Sequence, residues 1–522
     1  MSLARNSAKI TAIGMLGMAS GVIVDAIMTA FFGLSAKTDS FFVASTVPLT
    51  MITIVALQAQ KVIQPMFIHY RTVEGPEAGW QFLNNVVLLG TLITAVFCLL
   101  GIAFVGPITS LQMASPDAEA KTLTRHLAIW LFIAPVLMCP STIFSSALVG
   151  LGEFVVPGLT KTIENLSKII VAIALFSRMG ILVLPAGLLL GVLLQNVQVY
   201  MALRRHGYRF RWTLHLAGLR PLDLLAQSSA PFAGHVLVMS FEVLQNTLAT
   251  SLGSGALSAL KLATRIVDAL AGLVANSVVT ATTPVVTEHL STGAVDKMKL
   301  SLVHGLRLLL ILALPAIIWL VVLGGPCVEL LFQRKNFSAA DTTLVAAILA
   351  LMAPYIMLSR VFALAELPFY GARDTKTPLI AQVALAVFYS VLMIVFSHMF
   401  KVYGFPLARS VSYLGGCVVL AILVRRRYGN IGWWAIAQHG VRVFIAAAAF
   451  GLAAYGCHSA LARIELSGMI WQACKLAVSG GIGFVVFCWS AILIGVLDWS
   501  EMRHAAGHLL QRLKLRPVAS AG

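Results

Sequence analysis

The sequence predicts an all-α integral membrane protein of about 14 transmembrane helices, built as two parallel six-helix repeats plus two C-terminal helices. Three observations predict it. Apolar residues make up 59% of the 522 and charged residues only 11%, with a mean hydropathy of +0.91, a balance outside the range of soluble globular chains. Apolar runs of about 18–28 residues, each able to cross a hydrocarbon core of about 30 Å, recur from end to end. Prolines also repeat at one offset: Pro65 and Pro284, Pro107 and Pro326, and Pro135 and Pro354 are each 219 residues apart.

The runs fall near 8–31, 39–68, 81–111, 122–149, 154–176, 180–203, 225–252, 255–288, 300–332, 340–369, 375–399, 403–424, 434–457 and 469–497. They are continuous rather than alternating, which predicts helices and not barrel strands. The proline neighbours agree with a duplication. Gly106-Pro107 matches Gly325-Pro326, Ala134-Pro135 matches Ala353-Pro354, and the register slips by two where Pro157 answers Pro378. The expected organisation is an N-terminal half over 1–203, a basic amphipathic cytoplasmic linker over 204–224, and a C-terminal half over 225–424. Two additional helices over 425–497 and a basic cytoplasmic tail over 498–522 follow. An even number of spans per half makes the repeats parallel, an architecture suited to alternating access.

Each span has its own chemistry. Arg5 and Lys9 precede the first apolar run as in a signal peptide. The run is too long, however, and no small-x-small cleavage pattern follows it, so it reads as an uncleaved helix. It carries Asp25 on the face shared by Met18 and Gly21. The second span opens at Asp39, placed to cap its own helix near the outer surface, and includes Pro48, expected to bend it, and Lys61. In the fifth span, Lys161, Glu164 and Lys168 stand at i, i+3 and i+7, a ladder expected at the cytoplasmic surface. The linker "RRHGYRFRWTLHLAGLRPLD" mixes arginine with aromatics and is expected to rest on anionic headgroups.

The seventh span contains His235, read as a core histidine, and Glu242. The eighth, "LKLATRIVDALAG", places Lys261, Arg265 and Asp268 on one helical face. Two cations and one acid in a stripe favour an anionic ligand, and an arginine fork suits phosphate oxygens. Pairing of Arg265 with Asp268 for stability alone is the competing reading. Arg360 and Arg409, in the tenth and twelfth spans, are expected to snorkel or pair.

The net charge of +17 does not indicate nucleic acid. Assigned to loops with the N-terminus inside, the basic residues crowd onto one side (Arg204, Arg205, Arg209, Arg211, Arg220, Arg425, Arg426 and Arg427 among them), which predicts N-in and C-in topology. The seven cysteines lie in or beside apolar runs without a C-x-x-C pair and read as small buried hydrophobes. No P-loop, H-E-x-x-H or G-x-S-x-G is present, so the chain reads as a transporter rather than an enzyme. No cofactor is expected. Energy coupling falls to a Na+ or H+ gradient, the membrane potential or the substrate gradient.

Three segments, "GLSAKTDSFFVASTVP", "SALKLATRIVDALAGLVANSVVTATTPVVTEHLS" and "LPFYGARDTKTPL", resemble the MurJ/MviN family. These are the lipid II flippases of the multidrug/oligosaccharidyl-lipid/polysaccharide exporter superfamily. The resemblance runs along essentially the whole chain, and F-Y-x-x-x-D-T-x-T-P, from Phe369 to Pro378, is its most specific signature. It implies movement of an undecaprenyl-pyrophosphate-linked sugar from the inner to the outer leaflet of the bacterial inner (cytoplasmic) membrane. It also implies a cationic central cavity for the pyrophosphate and a groove for the lipid tail beside spans 13 and 14. Carried over by position, Arg265 matches the family's cavity arginine, and Asp25 and Asp39 match its acids.

The chain departs from the family where arginines are usual in spans 1 and 2: here stand Met18, Val24 and Ile52. Lys61 and Lys261 are the candidate replacements. The expected cargo is therefore lipid II or an exopolysaccharide repeat unit, with membrane lipids and glycan polymerases or synthases as partners. Two other classes compete. In a cation-coupled multidrug-type antiporter, Asp25 and Glu242 would bind protons or sodium. In a non-transporting scaffold, the intramembrane charges would be structural only.

Overall fold

The computed structural model describes residues 3–212, 239–274, 276–372, 374–464 and 468–496. Among these residues every regular element is helical. Ten stretches are long and apolar enough to cross a membrane, or eleven if the pair 256–272 and 277–291, bent by 49°, counts as one. The chain is a multi-pass membrane protein. Its helices gather into two compact units, Met1–Leu262 with Leu331–Asp341, and Ala263–Leu330 with Thr342–Gly522.

The first unit begins with α1 (Leu3–Phe32) and α2 (Ala36–Gln58). The second predicted span does not end where α2 does. A π-helical turn at Ala59–Ile63 leads into α3 (Gln64–His69), and a second π turn closes the run at Tyr70–Glu74. Pro65 explains part of this, because a proline has no N–H to donate and fits without loss in the first turn of a restarting helix, where it stands in α3. Next come α4 (Pro76–Ala103), a short α5 (Val105–Gln112), α6 (Ala118–Gly150), α7 (Val155–Met179) and α8 (Val183–Arg205).

The pair α7 and α8 occupies one apolar stretch of 51 residues, about twice what one crossing needs. It folds back on itself at a 3-10 turn, Gly180–Leu182. The register is antiparallel: Gly187 lies on Lys168, Gly191 on Glu164, and Gln195 Nε2 donates to the Thr160 carbonyl at 2.8 Å.

After α8 the basic linker starts by turning back onto α4. Asn84 donates to the Arg211 carbonyl at 2.7 Å and accepts from the Arg211 N–H at 3.0 Å. Tyr208 is buried among Trp80, Phe144 and Tyr200. Residues 213–224 of the predicted linker, His235 and the tail 498–522 lie outside the described residues. The seventh predicted span is described only over 239–251, a helix labelled α9 here. Helices α10 (Ala256–Val274) and α11 (Asn276–Ser291) follow.

The second unit contains α12 (Val295–Phe332), α13 (Ala339–Gly371), α14 (Lys376–Phe400), α15 (Gly404–Tyr428), α16 (Trp433–Ala462) and α17 (Met469–Leu493). The 53-residue stretch that holds α14 and α15 is again a hairpin, with Gly415 lying against Phe388. One cysteine departs from expectation: Cys474 is exposed on α17, whereas Cys98, Cys139 and Cys327 are buried. A thiol is small and apolar enough to face lipid as readily as a core.

The signature between Phe369 and Pro378 is a structural latch. Asp374 accepts from the Thr377 N–H at 3.1 Å and from its hydroxyl at 2.8 Å, which caps the first turn of α14. Arg427, at the end of α15, closes an ion pair on the same carboxylate. The same guanidinium lies 5.7 Å from the rings of Phe369 and Tyr428, and the Tyr428 hydroxyl donates to the Pro368 carbonyl at 2.9 Å.

These hydrogen bonds, led by those from Thr377, hold the Asp374 carboxyl below its ordinary pKa. A depressed carboxyl stabilises the fold above its unfolded pKa of about 3.9, and the contribution disappears as pH falls through the folded value. Asp374→Asn is therefore expected to lower the melting temperature at pH 7 and to show a smaller deficit at pH 3, below the unfolded pKa. An equal deficit at both values would show that the charge plays no part.

Candidate functional site

A charged cavity of about 760 Å³ in the first unit opens among α2, α6, α7, α8 and the π turn at Ala59–Ile63. Its wall is polar for a membrane interior: Gln60, Lys61, Gln64, Ser141, Thr142, Ser145, Thr160, Lys161, Glu164 and Gln195 all line it. The π turn is what brings Lys61 there. One extra residue in the turn rotates the following side chains, and the Ala59 carbonyl that takes the π-type bond from the Gln64 N–H also accepts from the Ser146 hydroxyl, at 2.5 Å. Such turns concentrate at functional sites.

Glu164 is the centre of the wall. It is 2% exposed and receives Lys161 at 2.8 Å, Lys168 at 2.5 Å and Gln195 Nε2 at 3.4 Å. The sequence ladder thus forms as spaced, but its acid is not at a wet surface. Gly191 explains why: a Cβ there would stand 2.8 Å from the Glu164 Cα, so only glycine lets α8 cover this part of α7. A buried carboxylate between two ammonium groups leaves one positive charge, and Lys61, which is accessible, adds another. The wall as a whole is cationic.

The other predicted residues are placed as follows. On α10, Lys261 is half-buried and Arg265 and Asp268 are accessible, while Leu260, Ala263, Val267 and Ala271 on the opposite side are 0–1% exposed. Asp25 is buried on α1, where its carbonyl accepts the Thr29 hydroxyl at 2.9 Å. Glu242 is half-buried on α9. In the second unit, Arg409 meets an aromatic side chain rather than a carbonyl. It donates to the Tyr355 hydroxyl at 2.9 Å and stacks on that ring at 3.9 Å.

Asp39 corrects the sequence reading. Its own helix is capped by Ser35, which exchanges hydrogen bonds with Thr38. Asp39, one turn in, instead caps α10. It accepts from the Gly255 N–H at 2.6 Å, the Ser258 N–H at 2.8 Å and the Ser258 hydroxyl at 2.5 Å. Gly255 has φ +84°, a conformation that glycine supplies without strain and that turns its N–H toward the carboxylate.

Further ties lie at this end of the unit. Asn336 Nδ2 donates to the Phe31 carbonyl at 2.6 Å, at the end of α1. Thr250 accepts from the Ala114 N–H at 3.0 Å, and Asn246 bonds both Thr46 at 2.8 Å and Gln112 at 3.0 Å.

A multi-span helical bundle with a charged, accessible cavity among its apolar helices defines a membrane transporter. The chain belongs to the lipid II flippase MurJ family, whose model matches residues 28–471. This is a family of transporters and not of enzymes.

A probable lipid II flippase MurJ of Rhizobium meliloti is 27% identical over 95% of this chain and 94% of its own. One from Bdellovibrio bacteriovorus is 25% identical over 79% of each. Among solved structures, a lipid II flippase MurJ in an inward closed conformation superposes with a TM-score of 0.76 at 19% identity. It covers 93% of this chain and 98% of its own. An inward-facing multidrug resistance MATE transporter of the MOP superfamily reaches 0.63 at 14% identity, over 82% and 98%. These structural likenesses concern the fold.

Proposed function

We propose that this protein flips a polyprenyl-pyrophosphate-linked glycan, lipid II or an exopolysaccharide repeat unit, from the inner to the outer leaflet of the bacterial inner membrane. The observation that carries the reading is the cationic wall of Lys61 and Lys161 around Glu164, whose carboxylate also holds Lys168 behind the wall. A surplus of positive charge among apolar spans is costly unless an anion is to be met there, and pyrophosphate is the anion such a cargo brings. Arg265 and Lys261, on the accessible face of α10, are the corresponding cations of the second half.

The movement is alternating access between two parallel six-helix halves, N-in and C-in, driven by a Na+ or H+ gradient or by the membrane potential. Ser258 follows Asp39 by 219 residues, the offset at which the prolines recur. On the duplicated-half reading the two residues are equivalents, one from each repeat. In the proposed orientation the end that carries them faces outward. The Asp39 cap and the Asn336 and Thr250 ties then close the outer side and must break for release.

Complementation in a strain depleted of its lipid II flippase tests the cargo. Rescue assigns lipid II. Failure to rescue, with loss of surface polysaccharide when the gene is deleted from its own host, assigns the repeat unit. Lys61→Ala and Arg265→Ala are each expected to cut flipping at least tenfold in proteoliposomes at unchanged membrane levels. Wild-type rates in both would remove the cationic cavity from the mechanism.

A further inference from the structure

The first unit has another opening besides the cavity of Lys61, and its walls are apolar. A crevice of about 770 Å³ among α4, α6 and α8 is lined by Val87, Leu92, Ala95, Phe144, Val197 and Tyr200. Leu92 is 61% exposed and Val197 55%, so the crevice opens sideways, where a membrane protein meets lipid. The start of the linker roofs it. Phe210 and Trp212 both belong to the lining, with ring centroids 5.1 Å apart. This short segment is pinned in place. Asn84 bonds the Arg211 main chain at both its N–H and its carbonyl, and the Tyr208 hydroxyl donates to Asn84 Oδ1 at 3.3 Å.

The depth follows from helix geometry. Residues 183–203 of α8 contain no Asp, Glu, Lys or Arg, about 30 Å of helix and the thickness of one hydrocarbon core. Arg204 comes next and marks the membrane boundary, where lipid phosphates lie. Val197, Tyr200 and Arg204 stand at i, i+3 and i+7, on one face of α8, so the arginine tops the wall that lines the crevice. Asn196, also in the lining, is about 12 Å below it along the helix, within the roughly 15 Å depth of a single leaflet. On α4, Asn84, Leu88, Thr91 and Ala95 likewise share a face, and Asn84 is the residue that holds Arg211 at the mouth. Arg204 and Arg211 are exposed, and among the described residues no carboxylate pairs with either. Both walls of an apolar slot therefore end at an uncompensated cation.

We propose that this crevice holds one acyl chain of an anionic phospholipid from the surrounding bilayer, with the lipid phosphate at the rim against Arg204 and Arg211. The slot calls for a chain, because it is apolar along about 12 Å of α4, from Val87 to Ala95, and open to the side. The rim calls for an anion, because guanidinium forks match phosphate oxygens. Trp212 suits the joint between the two, with an apolar ring and a polar N–H. The bound lipid fastens the start of the linker to the lipid-facing side of the first unit. The site is independent of what the transporter carries.

Native mass spectrometry of the purified full-length protein, delipidated and then titrated with phosphatidylglycerol or phosphatidylcholine, tests this. The wild type is expected to retain phosphatidylglycerol at least fivefold better than phosphatidylcholine. R204Q/R211Q should lose that preference, R204K/R211K should keep most of it, and R463Q, beyond the end of α16, should keep all of it. A95F, which fills part of the slot, should hold phosphatidylglycerol at least fivefold more weakly. Phosphatidylglycerol with a photoreactive acyl chain should label α4 or α8 in the wild type, a readout that needs no variant to fold. Labelling confined to other helices overturns the proposal, as does equal retention of both lipids by the wild type or an undiminished preference in R204Q/R211Q. Undiminished retention in A95F would leave a headgroup site without a chain site and overturns it too. Retention of undecaprenyl phosphate but not phosphatidylglycerol assigns the crevice to cargo, and retention of neither assigns it to the protein's own packing; both overturn it.

Discussion

Glu164→Ala is expected to be among the most damaging single changes in this protein, costing about 3–5 kcal/mol, the range for removing one partner of a buried ion pair. The acid is 2% exposed, and the side chain of Lys168 beside it only 17%. Without the carboxylate, Lys168 remains as an uncompensated charge beneath α8. Lys161, at 62% exposure, keeps its water and contributes little to the loss. The double variant Glu164→Leu with Lys168→Met should recover most of the stability, because it removes the charge pair as a unit. Its flipping rate should stay low if Lys168 supplies part of the cavity's positive charge. Thermal melts in detergent, paired with a proteoliposome assay, separate the two effects. A Glu164→Ala protein that melts with the wild type would overturn the assignment of Glu164 as the keystone of this wall.

The second large effect is expected at Asp39. Asp39→Ala strips acceptors from two buried backbone N–H groups and one hydroxyl, at roughly 3 kcal/mol, since each buried donor left unpaired costs about 1–3. Asp39→Asn keeps an acceptor oxygen and should lose less than half as much. The functional consequence differs from the thermal one. If the cap closes the outer side, its removal should open that side more often. A cysteine placed at Ser251, which is exposed, should then react faster with an impermeant thiol reagent in Asp39→Ala. The comparison is made in a background lacking Cys474. Unchanged reactivity, alongside the expected loss of stability, would limit Asp39 to holding α10.

Much of the fold was legible because hydropathy acts over the same length as a crossing helix. The boundaries of α6, α7 and α13 follow from apolar runs alone, and the face carrying Arg265 and Asp268 follows from helical spacing. The partner of Asp39 was not legible. Residue type and position suggested a cap, correctly, but the nearest helix was the wrong one, because the donors lie 216 and 219 residues away. The burial of Glu164 was hidden for a similar reason. Spacing showed the ladder, while the cover comes from two glycines on a different helix, Gly187 and Gly191. A glycine pair four apart on an apolar helix was the available signal, since it marks a backbone that another helix approaches closely.

The π turn at Ala59–Ile63 left no trace in the hydropathy. Only Pro65, just after it, hinted that the hydrogen-bond ladder of the second span is interrupted. Lys61 was therefore identified as a charge without a direction, and the structure supplied the direction.

The contact between Asp39 and Ser258 also bears on how such a chain could arise. On the duplicated-half reading, the ancestor was a pair of identical subunits, and each of these positions would have faced its own copy. Two aspartates meeting there would have repelled one another, and two serines would have offered no charge to a helix end. An acid on one side and a donor on the other is a pairing that identical subunits cannot encode. On that reading, joining the two copies into one gene would release the constraint and let one repeat keep the acid while the other keeps the donor.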